Sequence, residues 1–171
     1  VNDDGDLKRG QMIECYKHYE KMCADSSVVD FGELLLRALE LFKKQPDVLE
    51  QYRTRFHHLL VDEFQDTNTI QYQWLKLVAG TEGTPFVVGD DDQSIYRWRG
   101  ARVENLHLFE KDFKGTHIVR LEQNYRSTAN ILNAANAIIK NNSSRLGKKL
   151  WTEGDPGEPI MLYTAFNERD E

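Results

Sequence analysis

The sequence predicts an α/β fold in which a partial parallel sheet with flanking helices follows a purely helical segment. Two short apolar runs, residues 59–61 and 85–88, end abruptly in acidic residues, as buried parallel strands do. A stretch with helical periodicity separates them, and the links between these elements are short. This alternation of strand and helix is typical of right-handed parallel α/β units.

The first third of the chain is predicted to be helical. A helix over residues 10–24 carries an apolar stripe at spacings of three and four, formed by Met12, Cys15, Tyr16, Tyr19 and Cys23. Asp30 is placed to cap a second helix, with Glu33 three residues on as in a capping box. Its stripe runs up to Pro46 and consists of Phe31, Leu34, Leu35, Ala38, Leu39 and Phe42. Pro46 suits the start of a third helix through Phe56.

From residue 57 the apolar period changes to that of strands. After the strand at 59–61 we predict a helix over 68–79 that Gly80 closes, the strand at 85–88, and a helix over 103–113. A third strand at 118–121 follows, then a helix from Thr128 to about residue 141. After a turn around Pro156, residues 160–163 are predicted to begin a further strand.

Composition narrows the class of protein. Of the 171 residues 40% are hydrophobic and 29% charged, which predicts a folded core and excludes wholesale disorder. The net charge of −6 argues against a general polyanion-binding surface, so any nucleic-acid contact is expected to be local. No apolar run reaches the roughly 20 residues that cross a bilayer, and the polar start lacks a signal-peptide pattern. We therefore expect a cytoplasmic location and no membrane partner.

The acidic residues that end the two strands are candidates for chemistry. Ligands of open α/β sheets bind beyond the carboxyl ends of the strands, so both acidic clusters are expected to face one crevice. Asp62-Glu63 has the form of a Walker B element, in which one carboxylate binds Mg²⁺ and the next orients and deprotonates water. The alternative is that these residues merely cap a strand, as acidic residues often do.

Longer strings place these clusters in a family context. The chain contains DEFQDT at residues 62–67, VGDDDQSIYRWRGA at 88–101 and LEQNYRST at 121–128. In order and spacing they resemble motifs II, III and IV of superfamily 1A DNA helicases of the UvrD/Rep/PcrA type. The resemblance implies a partial RecA-like (P-loop NTPase) sheet. It also implies that residues 1–56 end the helical subdomain 1B, that 57–122 form the second half of motor domain 1A, and that 123–171 open domain 2A.

The same resemblance implies roles for individual residues at an ATP site. Asp62 would bind Mg²⁺, with Glu63 nearby as the catalytic base. Gln93 would contact the γ-phosphate, because a neutral amide can donate to phosphate oxygen while accepting elsewhere. Arg126 would be an arginine finger and Tyr125 would stack on the adenine ring.

Aromatic and cationic residues alternate just after Gln93. Stacking on aromatic side chains combined with attraction for the backbone holds single-stranded nucleic acid. Trp98 is the first candidate for such stacking and Tyr96 the second, with Arg97 and Arg99 beside them. The alternative is that the aromatic side chains belong to the core. Gln93 and Trp98 are only five residues apart, and the resemblance implies that hydrolysis shifts the base-stacking surface.

A second basic group lies at the end of the last predicted helix and in the polar stretch that follows it. It consists of Lys140, Arg145, Lys148 and Lys149. We expect it to be an exposed, solvated stretch, with contact to a phosphate backbone as the alternative.

The sequence contains no Gly-x-x-x-x-Gly-Lys-Ser/Thr string, so the chain alone is expected to bind nucleotide poorly and to be inactive. In its family context we expect an ATP- and Mg²⁺-dependent helicase that moves 3′ to 5′ on single-stranded DNA. Its partners would be single-stranded DNA, junctions of single- and double-stranded DNA, and repair proteins. The alternatives are the motor of a RecB/AddA-type helicase-nuclease and a noncatalytic module that binds DNA or protein.

Overall fold

The computed structural model describes residues 3–142 and 145–170, with the side chains described from residue 10 onward. The chain divides into two compact units. The first comprises Val1–Asp62 and Thr67–Val88, and the second comprises Glu63–Asp66 and Gly89–Glu171. The short segment Glu63–Asp66 thus groups with residues that follow it in sequence by more than twenty positions.

Three helices open the first unit, as predicted. They are α1 (Asp3–Asp25), α2 (Phe31–Lys44) and α3 (Pro46–Arg55). The Asp30 carboxylate accepts the backbone N–H of Glu33 at 2.8 Å, which caps α2. The Glu33 side chain pairs with Arg37 at 2.7 Å. The apolar stripe of α1 is largely exposed, since Met12, Tyr16 and Tyr19 all retain much of their accessible surface.

A parallel β-α-β unit follows the helices. Strands β1 (His58–Val61) and β2 (Thr84–Val87) pair in parallel, with Leu60 opposite Phe86, and α4 (Thr69–Ala79) connects them. Asn68 and Gln71 form a reciprocal capping box at the start of α4. Gly80 ends the helix at a φ of 55°, a conformation that favours glycine. Both predicted strands and the helix between them are confirmed.

Apolar contacts hold the first unit together. Buried Phe42, Leu49 and Val78 form its core, and the partly buried side chains packed on them are Val48, Leu59, Trp74 and Leu77. The Phe42 ring lies 5.1 Å from that of Tyr52 and 5.8 Å from that of Trp74, between ring centroids. Helices α2 and α3 therefore pack against α4 through aromatic as well as aliphatic groups.

The second unit contains less regular structure. It has 3₁₀ turns at Phe64–Asp66, Asp91–Gln93 and Arg97–Arg99, and helices α5 (Glu104–Asp112) and α6 (Ala129–Ile139). Fully buried Phe64 meets Phe109 of α5 edge to face, with ring centroids 5.6 Å apart. The amide of Asn136 on α6 both donates to and accepts from the backbone of Leu150. The two helices agree with the predicted ones to within one or two residues.

Two predicted strands are wrong. Residues 118–121 and 160–163 adopt no strand, and their apolar side chains are mostly exposed. A strand requires a neighbour that accepts its backbone hydrogen bonds, and an apolar run alone does not supply one. In this region the described residues form only an isolated parallel bridge between Gln123 and Trp151.

None of the described helices has the length and apolar character required to cross a membrane.

Candidate functional site

Asp62 and Glu63 stand where β1 ends, and both side chains are exposed. Glu63 has a φ of 49°, in the left-handed region that side chains other than that of glycine seldom adopt. Such a conformation costs on the order of 1–3 kcal/mol and concentrates at functional sites. The exposed carboxylate of Asp62, in the first unit, is the type of oxygen ligand that Mg²⁺ prefers.

Gln65 is a site residue that sequence reasoning missed. Its side chain is only 1% exposed. Its Nε2 donates to Glu63 Oε2 at 2.7 Å, and its Oε1 accepts the backbone N–H of Asp90 at 2.9 Å. A single buried amide therefore joins the candidate base to the start of the second motif. The partners lie two and 25 residues away, and no local pattern signals the second contact.

Gly89 permits the approach of Gln65. A Cβ atom at this position would lie 2.8 Å from Gln65 Oε1 and 3.3 Å from the backbone nitrogen of Phe64. Any side chain here would therefore displace the amide that links Glu63 to Asp90.

Gln93 lies exposed beside a group of three carboxylates, the acidic triad, which consists of Asp90, Asp91 and Asp92. The Gln93 Nε2 donates to Asp90 Oδ2 at 2.7 Å. Burial acts to raise the pKa of Asp90, but hydrogen bonds from Lys148 and Gln93 and the charge of Lys148 leave this pKa below its usual value. Asp90 is therefore an ionised acceptor at neutral pH.

The acidic triad is covered by cations of the same unit. Lys148 forms an ion pair with Asp90, and Arg145 forms a two-pronged pair with Asp92. Both basic side chains are only 18% exposed. The expectation of a solvated basic stretch is therefore wrong for these two residues, because carboxylates more than fifty positions earlier in the sequence neutralise them. Lys140 and Lys149 are exposed, as expected.

Aromatic and cationic side chains form an exposed surface after Gln93. Trp98 is 79% exposed, and its ring centroid lies 6.5 Å from that of Tyr96. The Arg99 guanidinium lies 5.4 Å from the Trp98 ring and 5.5 Å from the Tyr96 ring, at cation–π distance from both. Trp98 is thus not a core residue of the second unit, and a flat apolar face is available beside a positive charge.

Tyr125 and Arg126 lie in a turn built by Asn124. The Asn124 Oδ1 accepts the backbone N–H groups of Arg126 at 2.9 Å and Ser127 at 2.7 Å. Tyr125 is largely exposed and donates its hydroxyl to Gln123. Among the described residues no ion pair engages the exposed Arg126 guanidinium. Convergence of these two side chains with Gln93, and a crevice shared with Asp62, stay predictions.

Comparison with known proteins agrees with the motifs. Residues 2–114 match the UvrD/REP helicase N-terminal domain, and residues 119–171 match the UvrD-like helicase C-terminal domain. The chain belongs to the UvrD/REP helicase family.

Individual relatives are similar to this chain along most of its length. It is 57% identical to DNA helicase II of Haemophilus influenzae over 171 residues, which is 100% of this chain and 23% of that protein. It is 62% identical to DNA helicase II of Escherichia coli over 156 residues, 91% of this chain and 22% of that protein. The ATP-dependent DNA helicase PcrA of Staphylococcus aureus is 49% identical over 156 residues, with 91% of this chain and 21% of that protein covered. The chain thus spans less than a quarter of the length of these relatives.

Proposed function

We propose that this chain is an internal motor segment of a longer ATP-dependent DNA helicase that moves 3′ to 5′ along single-stranded DNA. The single observation that carries the proposal is a continuous hydrogen-bonded chain from Glu63 through Gln65 and Asp90 to Gln93. It connects the candidate catalytic carboxylate with the segment that presents Trp98. A chemical change at Glu63 can therefore alter the position of side chains in the segment that carries Trp98.

At the proposed nucleotide site, five residues have separate roles in binding ATP and in its hydrolysis. Asp62 holds Mg²⁺, whose chemistry is to neutralise charge on the phosphates of ATP. Glu63 accepts a proton from the attacking water, and its bond from Gln65 fixes the direction of its carboxylate. Arg126 places positive charge at the transferring phosphoryl group, and Tyr125 stacks on the adenine ring.

Gln93 carries the signal between the two sites. Its Nε2 donates one N–H to Asp90 in this structure, and the second N–H of the same amide can donate to a γ-phosphate oxygen. Gln93 bound to Asp90 alone and Gln93 bound to both Asp90 and the γ-phosphate are the two states that coupling between sites demands. Because Trp98 follows five residues later, each change between these states is transmitted to the DNA-contacting side chains over a short distance.

On the DNA side, Trp98 and Tyr96 stack on bases while Arg99 attracts the phosphate backbone. Exposed aromatic faces with an adjacent guanidinium match the chemistry of single-strand binding. Single-stranded DNA, and its junctions with duplex, are the proposed substrates, and DNA-repair proteins are the proposed partners.

The decisive test substitutes Glu63→Gln in the full-length protein, meaning the longer helicase that contains this chain. We expect ATP binding to persist while hydrolysis falls by about 10²- to 10⁴-fold, because the amide cannot accept the proton. Turnover and binding of a fluorescent ATP analogue are measured in parallel. Glu110→Gln, on the exposed face of α5, is the matched control and should turn over normally.

Unimpaired turnover by the Glu63→Gln enzyme would reject Glu63 as the base. The chain by itself should show no ATPase activity and should gain it when a separate P-loop-containing motor segment is added. A chain that stays inactive after this addition, yet still binds single-stranded DNA, would favour the noncatalytic binding module instead.

A further inference from the structure

The segment of residues 145–149 lies directly on the acidic triad. Lys148 Nζ forms an ion pair with Asp90 Oδ1, and the Arg145 guanidinium reaches both oxygens of Asp92, with Nε 2.9 Å from Oδ1. The backbone N–H of Leu146 donates to the middle carboxylate at 2.7 Å. Each member of the triad therefore has its own partner in this one segment, which we call the clasp.

Electrostatics explain why the clasp is required. The ligand oxygens of the three carboxylates lie within 4.8 Å of one another, so unscreened negative charges would push the triad apart. Two half-buried cations balance most of this charge. Hydrogen bonding to Asp92 raises the pKa of Arg145, and burial opposes this rise. The triad has the donor groups of a cation site, and the protein itself supplies the cations.

The clasp is also linked to Gln93, the residue proposed to contact the γ-phosphate. One oxygen of Asp90, Oδ1, pairs with Lys148, while the other, Oδ2, accepts the Gln93 amide at 2.7 Å. The Lys148 ion pair and the backbone N–H of Asp92, which donates to the same Oδ1 at 3.0 Å, together fix the rotation of the Asp90 carboxylate. That rotation decides where the acceptor for Gln93 lies. A substitution at Lys148 therefore affects the position of Gln93 through the side chain of Asp90, which both residues contact.

We propose that Lys148 and Arg145 are positioning residues for Gln93, which they hold ready for the γ-phosphate by fixing the acidic triad. This inference rests on the proposed function of Gln93. Neither basic residue needs to touch nucleotide or DNA to act in this way. Without Lys148 only the Asp92 N–H holds Oδ1 of Asp90, so the carboxylate rotates more readily and Gln93 spends more time away from the arrangement that hydrolysis requires.

The test is a double-mutant comparison in the full-length protein, with DNA-stimulated ATP hydrolysis as the measurement. Lys148→Met, which keeps the length of the side chain and removes its charge, should lower kcat about tenfold and leave the KM for ATP within about threefold. In a Gln93→Ala background the same substitution should change kcat by less than about twofold, because the residue through which it acts is gone.

Three further variants sharpen the comparison. Arg145→Gln breaks the clasp independently at Asp92 and should show the same dependence on Gln93. Lys148→Arg keeps the charge and should retain kcat within about threefold of the unsubstituted enzyme. Lys149→Met is the matched control, since the neighbouring lysine has an exposed side chain, and it should leave kcat unchanged.

The other possible results would contradict the inference, either alone or together with the proposed function of Gln93. An equal loss from Lys148→Met in both backgrounds would overturn the inference, because a general loss of folded enzyme lowers kcat by the same factor in each. Full activity of Lys148→Met would overturn it as well. In both cases a slow Gln93→Ala enzyme would leave the proposed function intact, whereas a fully active Gln93→Ala enzyme would remove the proposed function of Gln93 and the inference together.

Discussion

The two units of this chain are stabilised in different ways. In the first unit, helices and a parallel strand pair pack around buried Phe42, Leu49 and Val78. In the second unit, where the Phe64 and Phe109 rings also pack together, the 3₁₀ turns at Phe64–Asp66 and Asp91–Gln93 are held by hydrogen bonds and ion pairs centred on Gln65 and the acidic triad. Most of the candidate functional side chains belong to the second unit.

The difference follows from what each region must do. Apolar packing is non-directional and forms one preferred arrangement, which suits a scaffold. A polar network has directional bonds that can be exchanged for others of similar energy, which suits groups that must respond to a phosphate. We therefore expect removal of buried side-chain volume to have its main effect in the first unit, and removal of a charge to have its main effect in the second.

Phe42→Ala should give the largest effect. Phe42 is 6% exposed and contacts two other rings, so truncation leaves a cavity that costs about 3–5 kcal/mol. Urea unfolding of the chain in a Trp98→Phe, Trp151→Phe background, followed by the fluorescence of Trp74, measures the change. Phe31→Ala is the matched control on the same helix, because that ring is 88% exposed, and it should change stability by less than about 0.5 kcal/mol. Equal effects would mean that α2 does not pack as described.

Trp98→Ala should separate function from stability in the second unit. Loss of one stacked base costs roughly 1–3 kcal/mol of single-strand affinity, while removal of an exposed ring scarcely affects unfolding. In the full-length protein DNA-stimulated hydrolysis should fall more than basal hydrolysis. Phe166→Ala removes another exposed ring of the same unit and serves as control. Equal losses of basal and stimulated hydrolysis would show that Trp98 is structural.

Asp30→Ala should destabilise the first unit by about 1 kcal/mol, since the carboxylate caps α2 through the backbone N–H of Glu33. Urea unfolding in the same Trp98→Phe, Trp151→Phe background, with Trp74 as the reporter, measures this change. Asp30→Asn retains an oxygen acceptor and should recover most of the loss. If Asn is no better than Ala, the charge of Asp30 matters more than its hydrogen bond, and electrostatics then contribute to the first unit too.

Sequence patterns predicted the elements that depend on near neighbours. The cap at Asp30, the end of α4 at Gly80 and the apolar runs that form β1 and β2 follow from residues within a few positions of each other. The predicted strands at 118–121 and 160–163 failed because pairing depends on a partner that local composition does not encode. Gln65 was missed, and the ion pair of Lys148 was not anticipated, for the same reason, since the residues they contact lie 25 and 58 positions away. The motifs predict candidate functional residues, whereas the contacts that orient these residues could not be predicted from the sequence.

Lowering the pH should destabilise the second unit through protonation of Asp90. We expect this effect to be smaller than those of the three substitutions above. Its pKa in the folded chain lies below the ordinary value of about 4, because bonds from Lys148 and Gln93 and the Lys148 charge outweigh the burial that would raise this pKa. A lowered pKa stabilises the fold above the unfolded-state value, and this contribution is lost as the pH falls through the folded value. Partial exposure limits it to less than about 1 kcal/mol.

The stability difference between the unsubstituted chain and Asp90→Asn should therefore be largest near pH 7 and shrink below about pH 4. Urea unfolding in a Trp74→Phe background isolates the second unit, because Trp98 and Trp151 both belong to it. Asp91, Asp92, Arg145 and Lys148 face Asp90, and all four are identical in the two proteins that are compared. Asp155→Asn, at an exposed carboxylate of the same unit, is the control. A difference that stays constant down to about pH 3 would mean that the charge of Asp90 does not stabilise the second unit, and that its turns depend on packing as the first unit does.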